Sequence, residues 1–116
     1  MEIRNTTRET VLATRGWRAT RVFERMKGLL GRDGLEEGEG IQIEPCNSIH
    51  TFFMRFAIDV LFVDREGKVV RAFSAIPPWR LTRVYGKARS VIELPAGTLD
   101  RCQTFEGDQI LCTDSG

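Results

Sequence analysis

The chain has little of what binds metal or forms disulfides. Its 116 residues hold one histidine and three cysteines. An odd count leaves at least one thiol unpaired within the chain. No C-x-x-C or H-x-x-x-H pair occurs, and structural zinc sites normally show such local pairs. Cys46, His50, Cys102 and Cys112 would make a Cys3His set without them, so no metal and no other cofactor is expected. Long apolar runs are also missing. No stretch approaches the ~18 apolar residues of a membrane span. Even the run from Phe52 to Val63 is broken by Arg55 and Asp59. The start, MEIRNTTRET, is polar where a secretory leader needs an apolar run. A cytoplasmic protein with reduced cysteines and no membrane partner is the expectation. Net charge is only +1, which gives no global argument for nucleic acid. There is no internal repeat and no low-complexity tract.

What is present fits one soluble domain over residues 1–116. Apolar content of 41% and charged content of 28% are ordinary for such a domain. Charge is uneven along the chain: residues 1–35 carry eight Lys/Arg against four Asp/Glu, and the remainder nine against twelve. The stretch Cys46–Asp64, CNSIHTFFMRFAIDVLFVD, concentrates the unusual residues. It holds the single histidine, one cysteine and four of the seven phenylalanines. It joins a polar segment (Cys46, Asn47, Ser48, His50) to an apolar one (Ile58–Val63).

Elements follow from periodicity and turn chemistry. Residues 2–18 read as two short strands around the break at Thr6-Thr7-Arg8. Thr20–Leu30 reads as an amphipathic helix, because Val22, Phe23, Met26, Leu29 and Leu30 recur at helical spacing. Thr20 is its N-cap candidate and Gly31 its C′ residue. Arg18, Arg21, Arg25 and Arg32 follow a different line, at spacings of three, four and seven. Ile41 and Ile43 begin a strand that Pro45 closes. Ile58–Asp64 and Lys68–Ala75 form a hairpin whose turn, Arg65-Glu66-Gly67, supplies a glycine for a left-handed position. The first of these strands is apolar on both faces and should be central. Pro77-Pro78 ends the second. Trp79–Ala88 is then an irregular connection, with cations Arg80, Arg83, Lys87 and Arg89 in it or just after it. Ser90–Leu94 is a strand, the chain turns at Pro95-Ala96-Gly97 into a short helical segment through Cys102, and Gln109–Thr113 is the last strand.

The predicted fold is mainly β (α+β). About six to seven short strands make a compact, partly closed sheet or barrel, with the N-terminal amphipathic helix packed against it. The expected core comprises Phe23, Met26, Leu30, Ile43, Phe53, Ile58, Leu61, Val63, Val70, Phe73, Ile92, Leu94 and Ile110.

In order along the chain, the landmarks resemble a small prokaryotic family, domain of unknown function 192. Arg25, Gly28, Leu29 and Arg32 resemble its R-x-x-G-L-x-x-R segment, and Gly40-Ile41 its following G-[LMI] step. Cys46, Ser48-Ile49-His50-Thr51 and Met54 resemble its C-x-S-I-H-T-x-x-M form. Ile58-Asp59, the apolar strand and Gly67 resemble its core. Pro78, Glu93-Leu94, Ala96-Gly97 and Gly107-Asp108 resemble its later landmarks. Ala57 stands where many members have proline. The resemblance covers roughly residues 20–112 and implies a fold and candidate positions, not a reaction.

The residues themselves allow several chemistries. Cys46 and His50 would form a nucleophile–base pair if a turn brought them together. On a helix they could meet; on an extended strand they lie about 13 Å apart. Asp59 and Glu93 interrupt apolar strands, where a carboxylate needs a partner. Such a pair could be acid and base, or each could be satisfied by an arginine or cap a turn. The leading expectation is a binding or accessory module. Its cleft would use Ser48, His50, Met54, Arg80 and Glu93 for a small anionic ligand or a protein partner, with Arg80 holding the anion. The alternative is an enzyme with Cys46 as nucleophile or His50 as general base and Glu93 orienting. A third reading joins the Arg18–Arg32 and Arg80–Arg89 clusters into one nucleic-acid surface.

Overall fold

The structure, a computed structural model, describes residues 1–20, 29 and 32–114. Among these, eight strands form two sheets. The first three strands are β1 (Glu2–Asn5), β2 (Thr10–Ala13) and β3 (Arg15–Ala19). They are followed by β4 (Glu39–Ile43), β5 (Ile58–Val63) and β6 (Val69–Ile76). The last two are β7 (Ser90–Pro95) and β8 (Ile110–Thr113), with the short helix α1 (Thr98–Arg101) between them. One sheet runs β2-β1-β8 and the other β3-β4-β7-β5-β6. All pairs are antiparallel except β3–β4.

This corrects the expected partly closed barrel of six or seven strands. The described strands form a layered pair of sheets, because a residue-by-residue alternation gives the larger sheet two apolar faces. Leu61, Val63, Ile92 and Leu94 face one way and pack on Ile3, Leu12, Ala13 and Ile110 of the smaller sheet. Val60, Phe62, Ile58 and Val91 face the other way with Ile41, Ile43, Ile49 and Met54. Gly40 permits the close approach of the layers: a Cβ there would lie 2.9 Å from Leu94 Cδ2 and 3.1 Å from the Ala13 Cβ. The N-terminal strands also number three, not two. The third is hard to see in sequence, since only Trp17 and Ala19 are apolar in it, and it pairs in parallel with distant β4.

The other strands fall where their patterns place them. β5 lies between β6 and β7 and is buried at every residue. Gly67 turns the hairpin at φ 86°, and Asp64 Oδ1 accepts the Glu66 and Lys68 N–H groups across the turn. The expected helix over Thr20–Leu30, with Phe23, Met26 and Leu30, lies outside the described residues except at its ends. Leu29 is described and is buried in the second core cluster. Arg18, at the head of the expected arginine line, sits in β3, where Nε donates to Gln42 and Nη1 meets Asp114 at 3.1 Å. Ile43, Ile58, Leu61, Val63, Ile92, Leu94 and Ile110 are core as expected. Val70 and Phe73 are half-buried against the second cluster. Phe53 is not core at all, being 66% exposed.

A ribbon over the second core face

The polar stretch after β4 runs extended and pairs with the connection after β6. Tyr85 N–H donates to Asn47 O, Thr82 N–H to Ile49 O, and Thr51 N–H to Arg80 O, at 2.9, 2.9 and 2.8 Å. His50 and Leu81 face each other as an antiparallel bridge. The two irregular segments of the sequence are therefore one short ribbon, residues 47–51 against 79–85. Ile49 and Met54 anchor it on the second core face.

Thr51 holds the ribbon's end and is fully buried. Its hydroxyl donates to Pro77 O at 2.7 Å and accepts the Arg80 N–H at 2.9 Å, while its carbonyl accepts from Trp79 and Met54. These bonds fold both chain segments tightly, and Phe53 and Trp79 are held in the left-handed region at φ 68° and 66°. For bulky side chains that conformation costs on the order of 1–3 kcal/mol unless surroundings enforce it. The result is an aromatic group at the surface. The Phe53 and Trp79 rings meet edge to face at 4.7 Å, Phe52 lies 6.0 Å from Trp79, and His50 stacks on Phe52 at 5.1 Å. Trp79, Leu81 and Val84 are 56%, 71% and 63% exposed.

The expected site residues are distributed as follows. Cys46 is half-buried and its thiol donates to the Ser48 carbonyl at 3.1 Å. His50 Nδ1 accepts the Phe52 N–H at 3.3 Å. A neutral ring holding that bond carries its proton on Nε2. No helix spans residues 46–50; the chain there is extended on the ribbon. Met54 is buried beneath, and Arg80 is exposed beside Trp79. Glu93 is elsewhere in depth. It lies mid-strand in β7, opposite Ile41 of β4 and Val60 of β5, and is fully buried. Asp59 is equally buried, and it caps: Oδ1 accepts the Ala75 N–H, and Oδ2 accepts those of Gly97 and Leu99 at the start of α1. An arginine partner is replaced there by three backbone amides.

The remaining candidates do not converge. Cys102 and Cys112 pack on the first core cluster and Cys46 on the second, so the cysteines sit on opposite faces of the larger sheet. Burial raises the Cys102 thiol, and pushes Cys112 up to about 11, so both resist becoming thiolate ligands. Arg18 and Arg89 line one small cleft with Gln42 and Glu44. Both cations there are matched, Arg18 with Asp114 and Arg89 with Glu44 at 3.5 Å. A larger cleft of about 510 Å³ lies between the β5–β6 turn and residues 86–89, lined by Arg65, Lys87 and Arg89 but also by Asp64 and Glu66.

Charge separates the ribbon from those clefts. Neither residues 45–58 nor residues 67–92 contain an aspartate or glutamate. Arg55 and Arg89, at the ribbon's margins, pair with Asp33 and Glu44. Among the described residues Arg80, Arg83 and Lys87 meet no carboxylate, although Arg83 lies 5.9 Å over the Tyr85 ring. Sequence reasoning missed Thr51, Phe52 and Leu81 as parts of this surface, and Trp79 entered it only as an aromatic neighbour of cations. Thr51 did stand in the S-I-H-T run, but nothing local marks it as the residue joining two distant segments.

The geometry so far defines a small layered β-protein with an exposed cationic and aromatic ribbon over one sheet face. Comparison with known proteins places it further. The family model DUF192, described as Uncharacterized ACR, COG1430, matches residues 3–112. The chain belongs to this family. A UPF0127 protein of Thermococcus sibiricus is 43% identical over 63 residues, 54% of this chain and 40% of that protein. The UPF0127 protein PH1112 of Pyrococcus horikoshii is 40% identical over 63 residues, 54% of each chain. The match thus spans about half or less of the length of these relatives. A crystal structure of a protein of unknown function from Novosphingobium aromaticivorans superposes with TM-score 0.78, at 21% identity, over 96% of this chain and 82% of that one. A crystal structure of a putative transcription regulator from Sinorhizobium meliloti superposes with TM-score 0.76, at 18% identity, over 95% of this chain and 89% of that one. Both share the fold.

Proposed function

We propose that this chain is a binding module and that the ribbon 47–51/79–85 is its working surface for an anionic partner. One observation carries the reading. Exposed apolar side chains and cations without carboxylates are gathered where two bulky residues are held in costly backbone conformations. Soluble proteins place large apolar groups together at the surface chiefly where something covers them. Strained residues persist where the surroundings enforce them, and they cluster at functional positions. Arg80 supplies charge to the partner, Trp79 and Phe53 supply apolar area, and His50 and Ser48 line the polar side of the ribbon. Met54 supports it from the core. Glu93 belongs to the floor beneath, because full burial in mid-sheet keeps it from a ligand at the surface.

The test uses anilinonaphthalene sulfonate, an aromatic anion, followed by its fluorescence on the full chain. Trp79→Ala and the double variant Arg80→Ala/Arg83→Ala are expected to weaken its binding severalfold. Phe105→Ala removes another exposed ring, outside the ribbon, and should leave it unchanged. Equal loss at Phe105, or none at Trp79 and Arg80, would overturn the reading.

A further inference from the structure

The ribbon has an open strand edge, and its hydrogen-bonding pattern says what can pair with it. The bonds from Thr51 N–H to Arg80 O and from Thr82 N–H to Ile49 O flank the His50–Leu81 pair. In an antiparallel ladder a residue between such bonds turns its own N–H and C=O away from the partner strand. Leu81 therefore presents both groups outward. Among the described residues the N–H groups of Leu81, Arg83 and Val84 donate to no acceptor, and Leu81, Arg83 and Val84 are exposed. Open edges of this kind are templates for another strand unless they are blocked. No proline blocks this one after Pro78.

We infer that residues 80–84 bind an extended acidic segment of another protein by strand addition. The inference deepens the binding reading above and rests on it. Each alternative occupant fails on a specific point. A second copy pairing through the same edge would bring two cation-rich segments without carboxylates, Arg80, Arg83 and Lys87 of each, side by side, and like charges across a strand pair are unfavourable. A nucleic-acid backbone offers the edge phosphate oxygens, which accept but cannot donate to the outward carbonyls. An acyl-chain environment would leave the same edge without hydrogen-bond partners, which membranes do not tolerate. An extended peptide supplies both donors and acceptors. Arg80 and Arg83 lie three apart on the strand and so point to opposite faces: glutamate or aspartate at alternate positions would reach one of them, and the apolar residues between would lie against the other face of the ribbon.

The probe is an acetylated, amidated octapeptide of alternating glutamate and valine, titrated into the full chain and followed by amide NMR and calorimetry. A lysine–valine octapeptide and a glutamate–valine octapeptide N-methylated at alternate residues are the controls. Binding is expected for the acidic peptide, with slowed hydrogen exchange at the Leu81 and Arg83 amides. Its affinity should fall at least about tenfold on N-methylation and in Arg80→Glu/Arg83→Glu, a size ordinary for lost backbone bonds and reversed interface charge. Undiminished binding of the N-methylated peptide would overturn strand addition while leaving the binding surface intact. Equal binding of the lysine peptide, or tighter binding of single-stranded DNA or of phosphatidylserine vesicles, would also overturn it. Absence of peptide binding together with a ribbon-dependent sulfonate signal would sink this inference alone; loss of both would sink the underlying reading.

Discussion

The larger sheet and the ribbon above it handle polar groups in opposite ways. In the sheet, each buried polar side chain has a partner among protein atoms: among the described residues no buried side-chain nitrogen or oxygen is left unbonded. Asp59 is the extreme case, a fully buried carboxylate satisfied by three backbone amides. In the ribbon, among the described residues, the N–H groups of Leu81 and Arg83 meet no acceptor, Arg80, Arg83 and Lys87 meet no carboxylate, and apolar rings stand out of the core. A closed region of this sort sets stability, since any lost partner leaves an orphan in low dielectric. An open one adds little to stability and is available for binding.

Four substitutions or conditions would break or sharpen this contrast. The largest effect is expected for Asp59→Ala. It strips acceptors from the Ala75, Gly97 and Leu99 amides and should cost about 4 kcal/mol of unfolding free energy in a urea titration, given ~1–3 kcal/mol per buried orphan. A loss under 1 kcal/mol would show that α1 does not depend on this carboxylate. Thr51→Val keeps the shape but removes the hydroxyl between Pro77 and Arg80, and about 2 kcal/mol should be lost. Its amide spectrum should change along 79–82 and leave β5 and β7 unmoved.

Acid provides the third comparison. Asp108, buried in the smaller sheet's flank, is pushed up by burial, yet Asn5, the Phe105 N–H and Arg8 overcome this and hold it below the ordinary 3.8. Its folded value being depressed, it contributes stability that is full above that ordinary value. The contribution is lost as pH falls through the lower folded value. Urea midpoints measured from pH 6 downward should hold and then drop below about pH 4, and Asp108→Asn should flatten that drop. Trp79→Gly is the smallest. Glycine accepts φ near 66° without strain, so the change in stability should stay within about 1 kcal/mol of zero. A large loss would mean that Trp79 belongs to the core's energetics and not to a surface.

Most of the strands were legible. β5 announced itself by six residues without a charge other than Asp59, and its hairpin by Gly67. Ser90–Leu94 and Gln109–Thr113 were equally clear, being short apolar runs bounded by turn residues. β3 was not, because a parallel pairing to β4 leaves no hairpin signal and its Arg15 and Arg18 are as polar as a loop. Phe53 was misplaced in the core because periodicity speaks for side-chain hydrophobicity and not for backbone angle. Cys46, Ser48, His50 and Arg80 were picked out by residue type and do lie along or beside one ribbon. Glu93 was picked as a carboxylate interrupting an apolar strand, and it lies fully buried in the middle of β7 rather than at the ribbon.

By itself, then, the sequence determined the run of apolar segments, the turns between them and membership of a family, since these are written in local patterns of side chains. Only the tertiary structure decided that residues 47–51 and 79–85 are neighbours, that Asp59 is satisfied by amides some forty residues away in α1, and that Leu81 faces outward. The physical reason is the same in each case. Backbone hydrogen bonds carry no residue-type signature, so which distant segments pair, and which edge is left open, is settled by how the apolar faces pack.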